Sequence, residues 1–597
     1  MEYRAPLRDM HFVLHEVMAA ETLWQSMPGT AEFSASVVDA VLEEGARLTS
    51  ELIAPLNPTG DREGVRLHQG GVATPEGYRE AYRTLAEGGW VGLGGNPEYG
   101  GQGLPVMVTT LFEEMLQSAS GAFALYVILT SGAALCLDTH GSEAMRAHCL
   151  PRLYSGDWTA AMCLTEAHAG SDLGLLRTRA EPLEGGRYRL AGTKIFITGG
   201  EHDLTENILY LVLARLPDAP EGSRGISLFL VSKFLLDEEG RPGERNAVHC
   251  GALEEKMGIH GSSTCVMHFD DAVGELIGEP HRGLEAMFTM MNDERLSVGL
   301  QGLGAAERAW QLSLAYARER RQGRAPGDPG RSRAEADPIL VHADVRRMLL
   351  TQKAWVEGGR AFAAHCGRQL DLARHHPDAS QRQRAGAMVA LLTPLAKAFM
   401  TDRGMEGCLL AQQVFGGHGY IREWGVEQLV RDVRISQIYE GTNGIQAMDL
   451  LGRRVVADGG EVLGWLLEDI RDFLAGEGAA LEAELRDPVR AAVDQLESLT
   501  RWLVAEATED AHLVSAAAVD YLEALGRLLY GYLWARMAAV ARRQLAAGGG
   551  EEGFYQAKLD TARFYMERLL PKVASLCQVM RQGSAATMAI AAEHLGP

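Results

Sequence analysis

Ile438 to Gln446 reads IYEGTNGIQ. One glutamate, Glu440, stands directly before a Gly-Thr-Asn-Gly turn in surroundings that are otherwise helical and apolar. Gly441 lets the chain turn tightly, because a residue without Cβ enters left-handed backbone at little cost. Two fates are open to such a glutamate. It can be a general base at the mouth of a loop, or a solvated carboxylate near a helix end, which is the commoner outcome.

Working outward, apolar residues recur at three- and four-residue spacing from Gly283 to about Leu451, the mark of amphipathic helices. One polar interruption, RQGRAPGDPGRSRAEADP, reads as an exposed loop. Before that region, from Trp158 to about Pro280, come short β-rich runs: WTAAMCLT, YRLAGTKIFIT, ILYLVLARL, ISLFLVSKF and TCVMHFDDA. Turn clusters separate them, and a compact antiparallel β domain is expected. Residues 35–155 and everything after about 458 are helical in pattern. The fold class is therefore mainly α with a central β domain. The expected divisions are 1–34 (an N-terminal extension), 35–157 (helical), 158–282 (β), 283–455 (a helical bundle carrying the turn) and 456–597 (an additional helical domain). The uncharged run Gln117–Leu137 could span a membrane by length, but Gln, Ser, Thr and Gly dilute it and a buried helix pair is the expectation.

Composition excludes some classes. Among 597 residues, 57 Lys and Arg face 79 Asp and Glu, a formal charge of -22, which opposes binding to nucleic acid or anionic lipid. The eight cysteines are scattered without metal-ligand spacing, as expected of reduced buried thiols. The opening MEYRAPLRDMHF lacks the apolar core of a signal peptide. A cytoplasmic protein without a metal or stable membrane insertion is expected.

Two further segments carry chemistry. Cys163–Asp172 reads CLTEAHAGSD, where small residues and hydroxyls let a flat ligand approach the backbone. Gln413–Tyr420 reads QVFGGHGY, whose glycines permit close approach as in phosphate-cradling loops. His418 within it reads as a turn histidine. Taken in order with RDVRISQIYEGT, these segments resemble the acyl-CoA dehydrogenase family over residues 40–450. The two ends resemble a subgroup of long bacterial members acting on 3-methylmercaptopropionyl-CoA or fatty acyl-CoAs.

The resemblance implies an N-terminal helical domain, a β domain, a four-helix bundle and an FAD cofactor. The implied reaction removes a proton from Cα of an acyl thioester and a hydride from Cβ, giving a trans-2-enoyl-CoA. It implies Glu440 as the base, with its backbone amide on the thioester oxygen. Thr165, Ser171, Phe196, Thr198, Arg320, Gln413, Gly416, Gly417, Thr442 and Gly444 match cofactor positions. Ser171, Asn292, Arg295 and Gly441 match substrate positions. Arg320 would reach the FAD pyrophosphate of a partner subunit, which implies a homodimer, and electron-transfer flavoprotein is the implied acceptor. Three departures stand out. Ala167-His168 replaces a proline-containing pair, so a looser loop is expected. Phe196 replaces a tryptophan, and Gln322-Gly323 with a polar insertion follows Arg320 in place of Phe-Gly. Glu294, in MNDERL, matches the base of other branches; with Glu440 present it is expected to turn away, toward an arginine or solvent, since two ionised carboxylates in one apolar site repel. An acyl-CoA oxidase would use the same base. A flavin-containing DNA-binding relative would need a basic surface that this charge denies.

Overall fold

The computed structural model describes residues 2–68, 71–326, 336–548 and 550–596. Its axis is a helix of 37 residues, α3 (Gly283–Glu319), about 56 Å long at 1.5 Å per residue. Four more helices pack around it: α1 (Val106–Ala119), α2 (Gly121–His140), α4 (Ala343–His375) and α5 (Ala379–Phe415). Small residues let α3 and α5 approach closely. A Cβ at Gly299 would lie 2.5 Å from the Ala396 carbonyl oxygen, and one at Gly302 2.8 Å from that of Met400. Neither position tolerates a side chain without moving a backbone. Helix α2 is long and apolar enough to cross a membrane, yet 78% of its most apolar window is buried inside the protein, so the expected buried pair is α1 and α2.

Between α2 and α3 lies a seven-stranded sheet: β1 (Trp158–Cys163), β2 (Arg179–Pro182), β3 (Arg187–Thr198), β4 (Asn207–Arg215), β5 (Ile226–Ser232), β6 (Val248–Leu253) and β7 (Thr264–Ile277). The order is β6-β7-β3-β2-β4-β1, and β5 joins β4 to β7 so that the sheet curls onto itself. The expectation of a purely antiparallel domain needs correction: β1 runs parallel to β4, and β2 meets β4 in parallel at Arg179 and Arg215. Forty-three residues separate β1 from β4, ample for the crossover that a parallel pair requires. Between Lys194 and Ile197 the register of β3 against β7 slips by one residue. At this bulge Phe196 takes φ +61° and turns outward, 59% exposed. Bulges commonly re-aim a side chain in this way.

The long polar interruption closes at its base, where Arg321 bridges Pro338 and Gln322 N donates to Asp337 O at 2.9 Å; residues 327–335 lie outside the described residues. All eight cysteines are free and buried.

Residues 2–34 contribute buried side chains to the core. Phe12, Trp24 and Met27 have no exposed surface. Asp9 pairs with Arg360 of α4 and with Lys558 of α9 (Glu552–Arg568), which also donates to Glu357 at 2.8 Å. Arg360, 1% exposed, also meets Glu307 at 2.7 Å and forks onto Glu114. Helix α8 (Leu513–Ala546) covers α4, with Trp534 Nε1 donating to Ala354 O at 3.1 Å. Burial resists the charge on Asp9, but Lys558 and Arg360 outweigh it and hold the carboxyl at about 2. That depressed value contributes stability above the unfolded pKa near 3.9, and it is lost as pH falls toward 2. Asp9→Ala leaves buried cations without their partner, and about 3–5 kcal/mol should be lost. The reading is a lower midpoint in thermal unfolding and faster tryptic cleavage at Arg8 at pH 7; an unchanged midpoint would count against the weld.

Candidate active site

The turn that opened the sequence is held open by its own backbone. Glu440 has φ +54° and Gly441 φ +82°, two consecutive left-handed residues, of which the non-glycine one is costly. Surrounding hydrogen bonds over-determine it. Tyr439 Oη donates to Gln301 Oε1 of α3 at 2.6 Å, and Gln446 Nε2 donates to the Glu440 carbonyl at 2.9 Å. Asn443 donates to Thr401 Oγ1 at 3.0 Å and Asp402 Oδ1 at 2.7 Å, and accepts from Lys397 Nζ at 2.8 Å. Thr442 Oγ1 accepts from Ile445 N and caps α7 (Asn443–Met448), where Gly444 is exposed. Tyr439, Gln301, Asn443, Gln446 and Lys397 escaped the sequence reading. Only Asn443, inside the GTNG turn, offered a local signal.

Glu440 faces a cavity of about 40 Å³ that Phe196, Thr198, Leu125, Ile128 and Met162 also line. Burial raises its pKa, while Arg295 and Lys397 pull the other way. Burial in turn pushes Lys397 down to about 7. Arg295, partly buried, donates to Asn292 Oδ1 at 3.3 Å and lies over the Phe288 ring.

Glu294 departs from expectation. It neither pairs with an arginine nor reaches solvent: it is 3% exposed, lines the same cavity, and its Oε1 meets no hydrogen-bond partner among the described residues. Gly132 of α2 makes room for it, since a Cβ there would lie 2.4 Å from that oxygen. Burial first, then the neighbouring Glu440, raises the Glu294 pKa well above the carboxylate range. The side chain has not rotated away, and its surroundings favour the protonated form.

The CLTEAHAGSD loop is pinned more firmly than its missing proline suggests. Glu166 and Ala169 exchange both backbone hydrogen bonds, at 3.1 and 3.0 Å. The Glu166 carboxylate accepts from Thr178 N, Arg177 N and the fully buried Lys194 at 3.0, 2.7 and 2.9 Å. Burial opposes ionisation there, but Lys194 and the hydrogen bonds hold the carboxyl at about 2. The Thr165 carbonyl accepts from Ile195 N at 2.9 Å, which sets this loop against the Phe196 bulge, while Ser171 is exposed on the loop. The Glu166–Lys194 pair was not foreseen.

Arg320, Gln413, Gly416 and Gly417 gather elsewhere. Tyr316, one turn before Arg320, stacks on Phe415 at 4.2 Å, and its hydroxyl meets His418 Nδ1 at 2.9 Å. Val298, at the cavity, and Arg320, at the end of α3, are 22 residues apart along one helix, about 33 Å. The residues fit a flat, phosphate-bearing cofactor. The exposed Phe196 face and the Thr198 and Thr442 hydroxyls suit its ring end. The exposed Arg320 and the glycines Gly416 and Gly417, where a Cβ would meet nothing within 4 Å, suit its phosphate end.

Family comparisons identify the domains. Residues 64–157, 161–272 and 281–456 match the N-terminal, middle and C-terminal domains of acyl-CoA dehydrogenases, and 466–591 match an acetyl-CoA dehydrogenase C-terminal-like domain. The chain is 44% identical to 3-methylmercaptopropionyl-CoA dehydrogenase of Ruegeria pomeroyi over 96% of both chains. It is 33% identical to a butyryl-CoA dehydrogenase of Syntrophomonas wolfei over 97% of both. In fold it resembles Caenorhabditis elegans ACDH-11, solved in complex with C11-CoA, with TM-score 0.77 and 20% identity over 98% of this chain and 95% of that one. A carboxylate on a strained turn above a bundle, facing an outward-turned aromatic on a bulged strand, is thus set in a chain that belongs to the acyl-CoA dehydrogenase family and is an FAD-dependent acyl-CoA dehydrogenase.

Proposed function

We propose that Glu440 is the base that takes the α-proton of a short acyl-CoA, of the size of 3-methylmercaptopropionyl-CoA or butyryl-CoA, in a homodimer that passes its electrons to electron-transfer flavoprotein. The observation that carries this reading is the left-handed Glu440–Gly441 pair facing Phe196 and Thr198 across one small cavity. The strained turn aims the carboxylate and the amide at one place, and burial makes the carboxylate basic enough to compete for a carbon-bound proton. Arg295 and Lys397 oppose that rise without cancelling it. Bound FAD supplies the acceptor for the β-hydride. Asn292, Arg295 and Ser171 match substrate positions of the family and are assigned to the CoA arm, although the small cavity itself is lined by none of them. Leu125, Ile128 and Leu129 supply apolar walls, and the polar Gln117 and Glu294 in the same lining leave little room for a long hydrocarbon. The separation of Arg320 from the cavity supports a second subunit that completes the phosphate end of the site. The helical tail covers apolar bundle surface that would otherwise invite a further interface.

Four outcomes test this. Glu440→Gln should slow anaerobic flavin bleaching by acyl-CoA about 10²–10⁴-fold with FAD retained, and the wild-type rate should rise with pH through a value above the ordinary glutamate range. Bleaching at the wild-type rate would remove Glu440 from the reaction. In a panel of straight-chain substrates with an artificial acceptor, kcat/KM should peak at or below six carbons; a peak at twelve overturns the short-chain assignment. Arg320→Ala should weaken FAD binding about tenfold or more through loss of a charge-assisted contact. Mixing Arg320→Ala with Glu440→Gln subunits should restore one intact site per hybrid dimer, and no regained activity in the hybrid would place Arg320 outside the site.

A further inference from the structure

The proposed chemistry leaves a proton on Glu440 after every turnover, under a bound thioester and cofactor, and that proton must leave before the next. We propose that Glu294 and Glu113 relay it from Glu440 through the α1–α3 contact to Asp293 and solvent, an inference that rests on Glu440 being the base. The groups form a connected file. Glu294 shares the cavity with Glu440 and Ser297, and Glu113 lies near enough to Glu294 for its charge to act on it. Glu113 lies on α1 one helical turn before Gln117, another lining residue. Asp293, beside Glu294 in sequence, faces the other side of α3. There it lines a second cavity of about 460 Å³ with Asn292 and Arg374, its side chain 30% exposed and 3.7 Å from the Arg374 guanidinium.

Three acceptors along this file are buried and meet no partner among the described residues: Gln117 Oε1, Glu294 Oε1 and Glu113 Oε1. Buried oxygens in native proteins are normally satisfied, so three orphans in line mark a path for donors. The reactive cavity exceeds the roughly 10–15 Å³ that one water needs. Burial pushes Glu113 up to about 8, with Asp293 adding to it, and Glu294 is raised likewise by burial and by Glu440. Both shifts favour the protonated acid. A neutral carboxyl accepts a proton on one oxygen while releasing its own from the other, so charge passes without resting on the group.

The balance is simple. The Cα–H bond breaks, its electron pair stays with the substrate, and the proton forms an O–H bond on Glu440. That bond breaks as the proton moves, directly or through water, to Glu294 Oε1. The proton already on Glu294 moves to Glu113, and the one on Glu113 leaves by Asp293. No electrons are exchanged, and Glu294 and Glu113 end as they began. Arg295 and Lys397, which face Glu440, favour the departure.

The test compares two rates in the FAD-loaded enzyme. One is single-turnover bleaching by butyryl-CoA. The other is exchange of the α-hydrogens with D₂O in an acyl-CoA whose Cβ is replaced by sulfur, which can lose an α-proton but no β-hydride. In Glu113→Gln and Glu294→Gln, a proton trapped on Glu440 returns to the carbon it left, and the ratio of exchange to bleaching should fall at least tenfold. A group that only positioned Glu440 would slow both rates together. If Glu294→Gln fails to hold FAD, Glu113→Gln, on a separate helix, carries the comparison. A wild-type ratio in the FAD-loaded variants overturns the relay. Bleaching by Glu440→Gln at the wild-type rate would instead overturn the base assignment, and the two failures are distinguishable.

Discussion

The close crossing of α3 and α5 sets everything that follows at the site. A Cβ on Gly404 of α5 would sit 2.5 Å from the Gly302 carbonyl oxygen, and one on Gly299 of α3 just as near that of Ala396. With the backbones in contact, Gln301 on one helix and Lys397, Thr401 and Asp402 on the other come within reach of a single loop. Each then holds part of it: Gln301 through Tyr439, the other three through Asn443. A left-handed glutamate costs of order 1–3 kcal/mol, and these hydrogen bonds offset the cost. A wider crossing would separate the anchors and let Glu440 relax toward ordinary backbone.

Electrostatics then divides labour between two carboxylates in one cavity. Burial raises both, but only Glu440 has cations near enough to oppose it, Arg295 and Lys397. Glu294 has carboxylates for neighbours instead, Glu440, Asp293 and Glu113. Groups of the same chemistry thereby meet opposite electrostatic surroundings in one cavity, the arrangement that can separate a base from an acid. Glu166 shows the opposite arrangement. Equally close to a reactive surface, it is held charged by Lys194 and uses that charge to fix a loop.

What could be read in advance was local. The YEGT turn, the helix-to-strand change at Trp158, the spacing of apolar residues and the outward aromatic of KIFIT all lie within short windows. The family and the fold class followed from them. What was missed depends on distant partners. Glu294 points inward because Gly132, 162 positions earlier, leaves a notch for it. The parallel pairing of β1 with β4 depends on how the intervening hairpin is routed, and no alternation pattern reports that. Asp9, near the start of the chain, finds its counter-charges at positions 360 and 558, which no local window reports.

Those distant partners also connect the tail to the chemistry. Helix α5 presents Lys397, Thr401 and Asp402 to the catalytic loop, while Phe399 on another face packs against α8, where a Cβ on Gly526 would fall 2.4 Å from its ring. Arg403 lies over both the Phe399 and Trp355 rings and pairs with Glu523 at 3.3 Å. Tyr530 of α8 meets Trp355, Phe362 and Phe399 edge-on or tilted. Close-packed interiors transmit displacement instead of absorbing it. A shift of α8 would therefore move the same turn of α5 that anchors Asn443, and with it the carboxylate of Glu440. The C-terminal helices are thus mechanically continuous with the loop of Glu440, although none of their described residues lines its cavity.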